Sequence, residues 1–146
     1  MANPTTLYEQ DFYLWLAETV QLLKTGKFEK LDVENLIEEI ESMGRSEKQA
    51  LRSNLEVILM HLLKYQYQPE KRSNSWRYTL LEHRRRLEDL FQVSPSLRRY
   101  FLETLAYCYQ GARKLASVET EIVITTFPSE CPFTAEQVLD EDFLPE

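Results

Sequence analysis

The chain has 146 residues, 43% of them hydrophobic and 28% charged, with a formal net charge of -7; this is the profile of one ordinary globular domain and not of a disordered, collagenous or membrane-spanning chain. A sequence pI near 5.0 sets it apart from domains that hold nucleic acid through an overall positive charge. Its two cysteines, Cys108 and Cys131, stand in no CxxC or CxxH spacing, and the start MANPTTLYEQDFY has neither a basic n-region nor an apolar h-region, so free thiols in a reducing cytoplasm are expected.

Only three glycines occur, and apolar residues recur at helical spacing nearly throughout, which predicts an all-α fold. The first helix is expected from about Leu7 to Lys24, with Tyr8, Phe12, Trp15, Leu16, Thr19 and Leu23 on one stripe and Gly26 as its stop. Tyr13 and Leu14 add apolar surface beyond what one seam requires, which suggests self-association through this helix. Asp32 is a good N-cap for a second helix carrying Val33, Leu36, Ile37, Ile40 and Met43, with the acid row Glu34, Glu38, Glu41 on its other side. At Met43-Gly44-Arg45-Ser46 a break or kink is expected, because Gly44 interrupts the stripe and Ser46 to Gln49 reads as a capping box.

From Leu51 to Tyr65 the sequence is apolar almost all round, as suits an element surrounded by neighbours. Its strongest run, LEVILMHLL, is far short of the roughly 20 residues that cross a bilayer. After Pro69 and the polar stretch QPEKRSNS, Ser73 or Asn74 should cap a third helix from about Ser75 to Gln92 with the stripe Trp76, Leu80, His83, Leu87, Leu90. Ser94-Pro95 reads as the start of a fourth, with Leu97, Phe101, Leu105, Cys108, Ala112 and Leu115 inward. Residues 120–146 should be an extended segment: IVITTF favours β structure, PSECPF is kept extended by its prolines, and Thr134 with Gln137 can cap one last turn that leaves Val138, Leu139, Phe143 and Leu144 to dock. The expected whole is a single domain over 1–146, with 1–6 flexible: a compact bundle of four to five main helices around an apolar central helix, with an irregular acidic C-terminal segment packed on it.

Charge is divided along the chain, eleven basic residues against five acidic between Lys64 and Lys114, then eight acidic and none basic. The acidic end is therefore expected to pack over the basic helices, or both to form solvated faces. Arg77, Arg84, Arg85, Arg98 and Arg99, with Trp76, are the candidates for a binding surface, and phosphate contact is conceivable there. The same arginines can instead pair with Glu82, Glu88 and Asp89 at three- and four-residue spacing.

His61 lies in the most apolar helix and His83 where a leucine would be expected; with an acid such as Glu39 or Glu82 they are the candidates for a metal site or an acid-base pair. Ile58 and Leu80 occupy the positions three before each histidine, so the Glu-x-x-His pairs of di-iron bundles are absent. A satisfied histidine, buried or half-buried, is the expected role of each. No GxSxG and no Gly-rich phosphate loop is present, so no cofactor is expected and catalysis is not the leading reading.

Taken together, LYEQDFYLWL, LDVENLIEEIESMGRSEKQAL, HLLKYQYQPE followed by SW, and FPSECPFTAEQVLDEDFLPE resemble the family called domain of unknown function 29, abundant in cyanobacteria and present in other bacteria. The resemblance implies a small bacterial, all-helical cytoplasmic domain and brings no activity, cofactor or catalytic residue. The leading expectation is a non-enzymatic module whose partner is a protein, itself included. Alternatives are an antitoxin-like or nucleic-acid-associated regulator using the arginines, and a metal-dependent enzyme or metal-binding bundle using His61, His83 and a glutamate.

Overall fold

A computed structural model of the chain describes residues 6–146; the leading stretch 1–5, most of the segment expected to be flexible, lies outside the described residues. The structure is all-α, with no strand among the described residues: α1 (Leu7–Gln10), α2 (Phe12–Lys24), α3 (Val33–Tyr67), α4 (Asn74–Val93), α5 (Leu97–Thr120) and α6 (Ala135–Leu139), joined through three short 3-10 turns. Contacts divide the chain into two compact units, Met1–Arg45 and Ser46–Glu146.

In the first unit the expected helix Leu7–Lys24 is two helices. Asp11 leaves helical geometry (φ -152°, ψ 89°), ends α1, and N-caps α2 by accepting from the Leu14 amide at 3.0 Å. The competing principle is the affinity of an aspartate side chain for a free amide two or three residues on. Gly26 ends α2 as expected, at φ +73°. The Lys27 amide reaches the Leu22 carbonyl at 2.9 Å and the Gly26 amide the Leu23 carbonyl at 3.3 Å, a Schellman closure that needs a left-handed residue at that point. Asp32 caps α3, accepting from the Asn35 amide at 3.3 Å and its side-chain amide at 2.7 Å; the Asn35 side chain holds the Asp32 carboxyl below the ordinary carboxylate range.

The expected break at Gly44 does not occur, since α3 runs unbroken for 35 residues. Gly44 is not in the left-handed region, and the Ser46–Gln49 box goes unused because the surrounding Glu, Met, Arg and Lys residues favour continuing the ladder. Arg45 also bridges back to Glu38 at 2.7 Å and to Glu41 at 3.9 Å, though exposed pairs of this kind contribute little. A Cβ on Gly44 would meet nothing within 4 Å. Gly44→Ala should therefore raise stability by about 0.5–1 kcal/mol in a urea titration, whereas a functional hinge at this point would make it neutral or harmful.

In the second unit the far half of α3 is the core helix. Leu51, Leu55, Ile58, Leu59, Leu62 and Leu63 are all fully buried, with Leu80, Leu87 and Phe91 from α4 and Phe101, Cys108, Tyr109, Ala112 and Ala116 from α5 around them. Ser73 caps α4 through its Oγ, which accepts from the Trp76 amide at 3.2 Å. Ser94 closes α4 instead of starting α5, its amide donating to the Leu90 carbonyl at 2.8 Å; Ser94 and Pro95 then form a turn ahead of Leu97. The buried stripe of α4 is Leu80, Arg84, Leu87, Phe91: Leu80 and Leu87 lie inward as expected, while Arg84 and Phe91 take the places expected of His83 and Leu90. His83 is half-buried and Arg84 takes the core position.

The C-terminal segment packs on this core through Phe127, Phe133 and Val138, with Leu139, Phe143 and Leu144 partly buried beside them. IVITTF contributes a 3-10 turn at Ile124–Thr126, because β-branched residues without a partner strand have no ladder to join. Thr134 and Gln137 form the expected capping box of α6. Main-chain carbonyls of an irregular segment need donors from elsewhere, and helix side chains supply them. Tyr109 donates to the Pro128 carbonyl at 2.6 Å, Gln110 to Ser129 at 2.7 Å, Arg113 to Phe127 at 3.1 Å and Ser117 to Ile122 at 2.6 Å.

Candidate functional site

The arginine candidates do not form one surface. Arg84 is 2% exposed and gives three hydrogen bonds to the C-terminal segment: Nε to the Val138 carbonyl at 2.9 Å, Nη1 to Phe143 at 2.9 Å and Nη2 to Gln137 at 3.0 Å. Burial lowers its pKa, and the nearby Asp140 and Glu141 carboxylates oppose that shift. Its placement among the surface candidates is corrected: it lies four residues after Leu80 and three before Leu87, on the core stripe itself. The acidic end is thus held through its carbonyls, with its carboxylates near the guanidinium but not hydrogen-bonded to it.

The remaining arginines are exposed and mostly engaged locally. Arg77 donates to Asn74 on its own helix, Arg98 meets Glu88 at 3.4 Å and lies over the Phe91 ring at 4.7 Å, and Arg99 meets Glu103 at 3.1 Å. Arg86, beside the exposed Arg85, bridges to Glu82 at 2.7 Å. Trp76 is half-buried with the Lys64 ammonium 4.6 Å over its ring.

That lysine is the polar residue sequence reasoning missed. Lys64 is 5% exposed in the most apolar helix, and its Nζ contacts Glu119 Oε1 at 2.6 Å, tying α3, α4 and α5 together through one charge. Its signal was a charged residue directly after Leu62 and Leu63, inside the most apolar stretch of the chain. His61 lies one turn earlier, and its Nδ1 is 2.9 Å from the Val57 carbonyl; His83 repeats the pattern on Thr79 at 2.8 Å. A carbonyl only accepts, so Nδ1–H donates in both rings. His83 is near enough to be felt electrostatically at His61, but Glu39 lies in the first unit, where it accepts from the Tyr8 hydroxyl and raises that phenol from 10.0 to about 12. Among the described residues no three His, Cys, Asp or Glu side chains come together to hold a metal, and the Lys64 ammonium opposes bringing a cation to His61.

Burial is the main cause that lowers the His61 pKa from the ordinary 6.5, with Lys64 and His83 adding to it against the Val57 hydrogen bond and Glu119. In the unfolded chain the same histidine protonates at its ordinary value, so as pH falls through that value the unfolded state binds more protons and stability is lost. A His61→Gln chain should lose less stability than the native one between neutral and mildly acid pH in paired urea titrations; parallel losses would refute this.

One polar recess opens between α3 and α5. It holds about 250 Å³ and is lined by Arg52, Glu56, Tyr107, Cys108, Gln110, Gly111 and Lys114. It is smaller than typical ligand pockets, and Arg52 is already committed to the Tyr100 hydroxyl at 2.6 Å. Burial raises the Cys108 thiol at its floor, which makes that sulfur a poor nucleophile.

The largest departure from a finished surface lies in the first unit. Of the nineteen fully buried apolar residues among those described, only Trp15 belongs to it, yet it carries eleven of the nineteen large hydrophobics that are exposed. Tyr8, Phe12 and Trp15 form a small aromatic cluster, with the Tyr8 ring edge-on to Trp15 at 4.9 Å and to Phe12 at 5.7 Å. Outside it, α2 leaves Tyr13, Leu16, Val20 and Leu23 open, and the first half of α3 leaves Val33, Ile37, Ile40 and Met43 open. Both sets repeat at three- and four-residue spacing, the pattern of a face that packs against another helix. Open apolar stripes of this kind mark surfaces that another protein covers.

No helix among the described residues is long and apolar enough to cross a membrane. Residues 7–144 match the model of a family described as "Domain of unknown function DUF29". No curated protein and no solved structure matches the chain.

Proposed function

The chain belongs to that family, whose description carries no activity, and we propose that it is a non-enzymatic, cytoplasmic protein-interaction module. The reading rests on one observation, the unpartnered apolar stripes of α2 and the first half of α3. Its physical basis is that a unit with Trp15 as the single buried large side chain among its described residues cannot offset its own chain entropy and gains stability when another surface covers it. A photo-crosslinking residue placed at Ile37 in the native host tests it. Ultraviolet light should give a protein adduct that is lost when Val20 and Leu23 are both changed to aspartate. Recovery of only the 17.4 kDa chain would refute the reading.

A further inference from the structure

We infer that the partner of this face is a second copy of the same chain, two first units pairing through the open stripes of α2 and α3. The inference rests on the interaction reading above and names its occupant. Three features point to a copy.

The first is area. Phe12, Tyr13, Leu16, Val20 and Leu23 on α2 and Val33, Ile37, Ile40 and Met43 on α3 are between 39% and 82% exposed. Nine large apolar side chains about half open amount to on the order of 800 Å², the share each partner contributes to a stable interface of standard size.

The second is helix content. Each unit offers two helices with apolar seams and too few helices to enclose them, and two such units supply the four helices of a bundle whose centre is closed on every side. The α3 seam suits this use, since the exposed Val33, Ile37, Ile40 and Met43 repeat at three- and four-residue spacing along one side of the helix.

The third is charge. The unit is basic where α2 ends, at Lys24, Lys27 and Lys30, and acidic along α3, at Glu34, Glu38 and Glu41. A two-fold contact sets residue i of one copy against residue j of the other and j against i. One antiparallel pairing therefore satisfies both charged regions at once, whereas a parallel stacking would set like charges together.

Co-expression of tagged and untagged full-length chains tests the inference. The tagged copy should retain the untagged one through purification, and Ile37→Asp or Ile40→Asp should each weaken that retention by about 30-fold, the loss of one buried aliphatic contact. Both positions already face water, so the variants should keep the native circular dichroism spectrum; Val20→Asp serves as a third variant on the other helix. Val93→Asp, on an exposed position of the second unit, should leave pairing unchanged. Failure of the native chain to retain its copy, or retention unaffected by all three changes of the face, would overturn the inference. If pairing fails while the crosslinked adduct in cells persists with another mass, the second copy is wrong and the interaction reading stands; if both are absent, both fall.

Discussion

Arg84→Ala should destabilise the protein by on the order of 3–5 kcal/mol and release the segment after Pro128, while Arg85→Ala one residue away should change stability by no more than about 0.5 kcal/mol. The contrast follows from placement. Arg84 is buried at 2% exposure with all three guanidinium nitrogens on carbonyls of residues 137, 138 and 143, and Arg85 points outward. Truncation leaves those buried carbonyls without donors and a void beside Val138. Arg84→Lys should fall between the two, since one ammonium cannot span three carbonyls that a planar fork reaches together. Urea unfolding measures the loss, and amide exchange over 128–146 should rise in step with it. Equal stability of the Arg84 and Arg85 variants would show that the segment is held by its apolar anchors alone.

The second large effect concerns the two units. A fragment starting at Ser46 should keep a cooperative unfolding transition, because it retains the whole leucine core of α3 and everything packed around it. A fragment ending at Arg45 should be largely unfolded when dilute, since Trp15 is the one buried large side chain among its described residues. Circular dichroism of both fragments under thermal denaturation decides the matter. Loss of the cooperative transition from the fragment starting at Ser46 would mean that the core needs the first unit, as one domain over the full length would.

Much of the fold was legible wherever a local signal had a local cause. Gly26, Asp32, Ser73 and the Thr134–Gln137 box ended or began helices as their chemistry requires, because capping involves only three or four residues. Asp11 and Gly44 show the limit of such signals. Each position offered both continuation and termination, and a difference of about 1 kcal/mol decided for a break at the aspartate and for continuity at the glycine. Arg84 was misplaced because helical periodicity assigns faces by hydrophobicity, and histidine looked the more apolar of two neighbours; the three carbonyls that make an arginine suitable inside come from residues more than fifty positions away. The apolar excess of the first helix was visible in the sequence. Its exposure was not, since a stripe reads the same whether its cover comes from its own chain or from another.

Sedimentation equilibrium of the intact native chain is the most direct test of the account, because it needs neither a label nor a substitution. The apolar face of the first unit predicts a mass that rises with concentration to twice the 17.4 kDa of one chain and returns to a single chain when Ile37 and Ile40 are changed to aspartate. A mass of 17.4 kDa at every concentration of the native protein would contradict it.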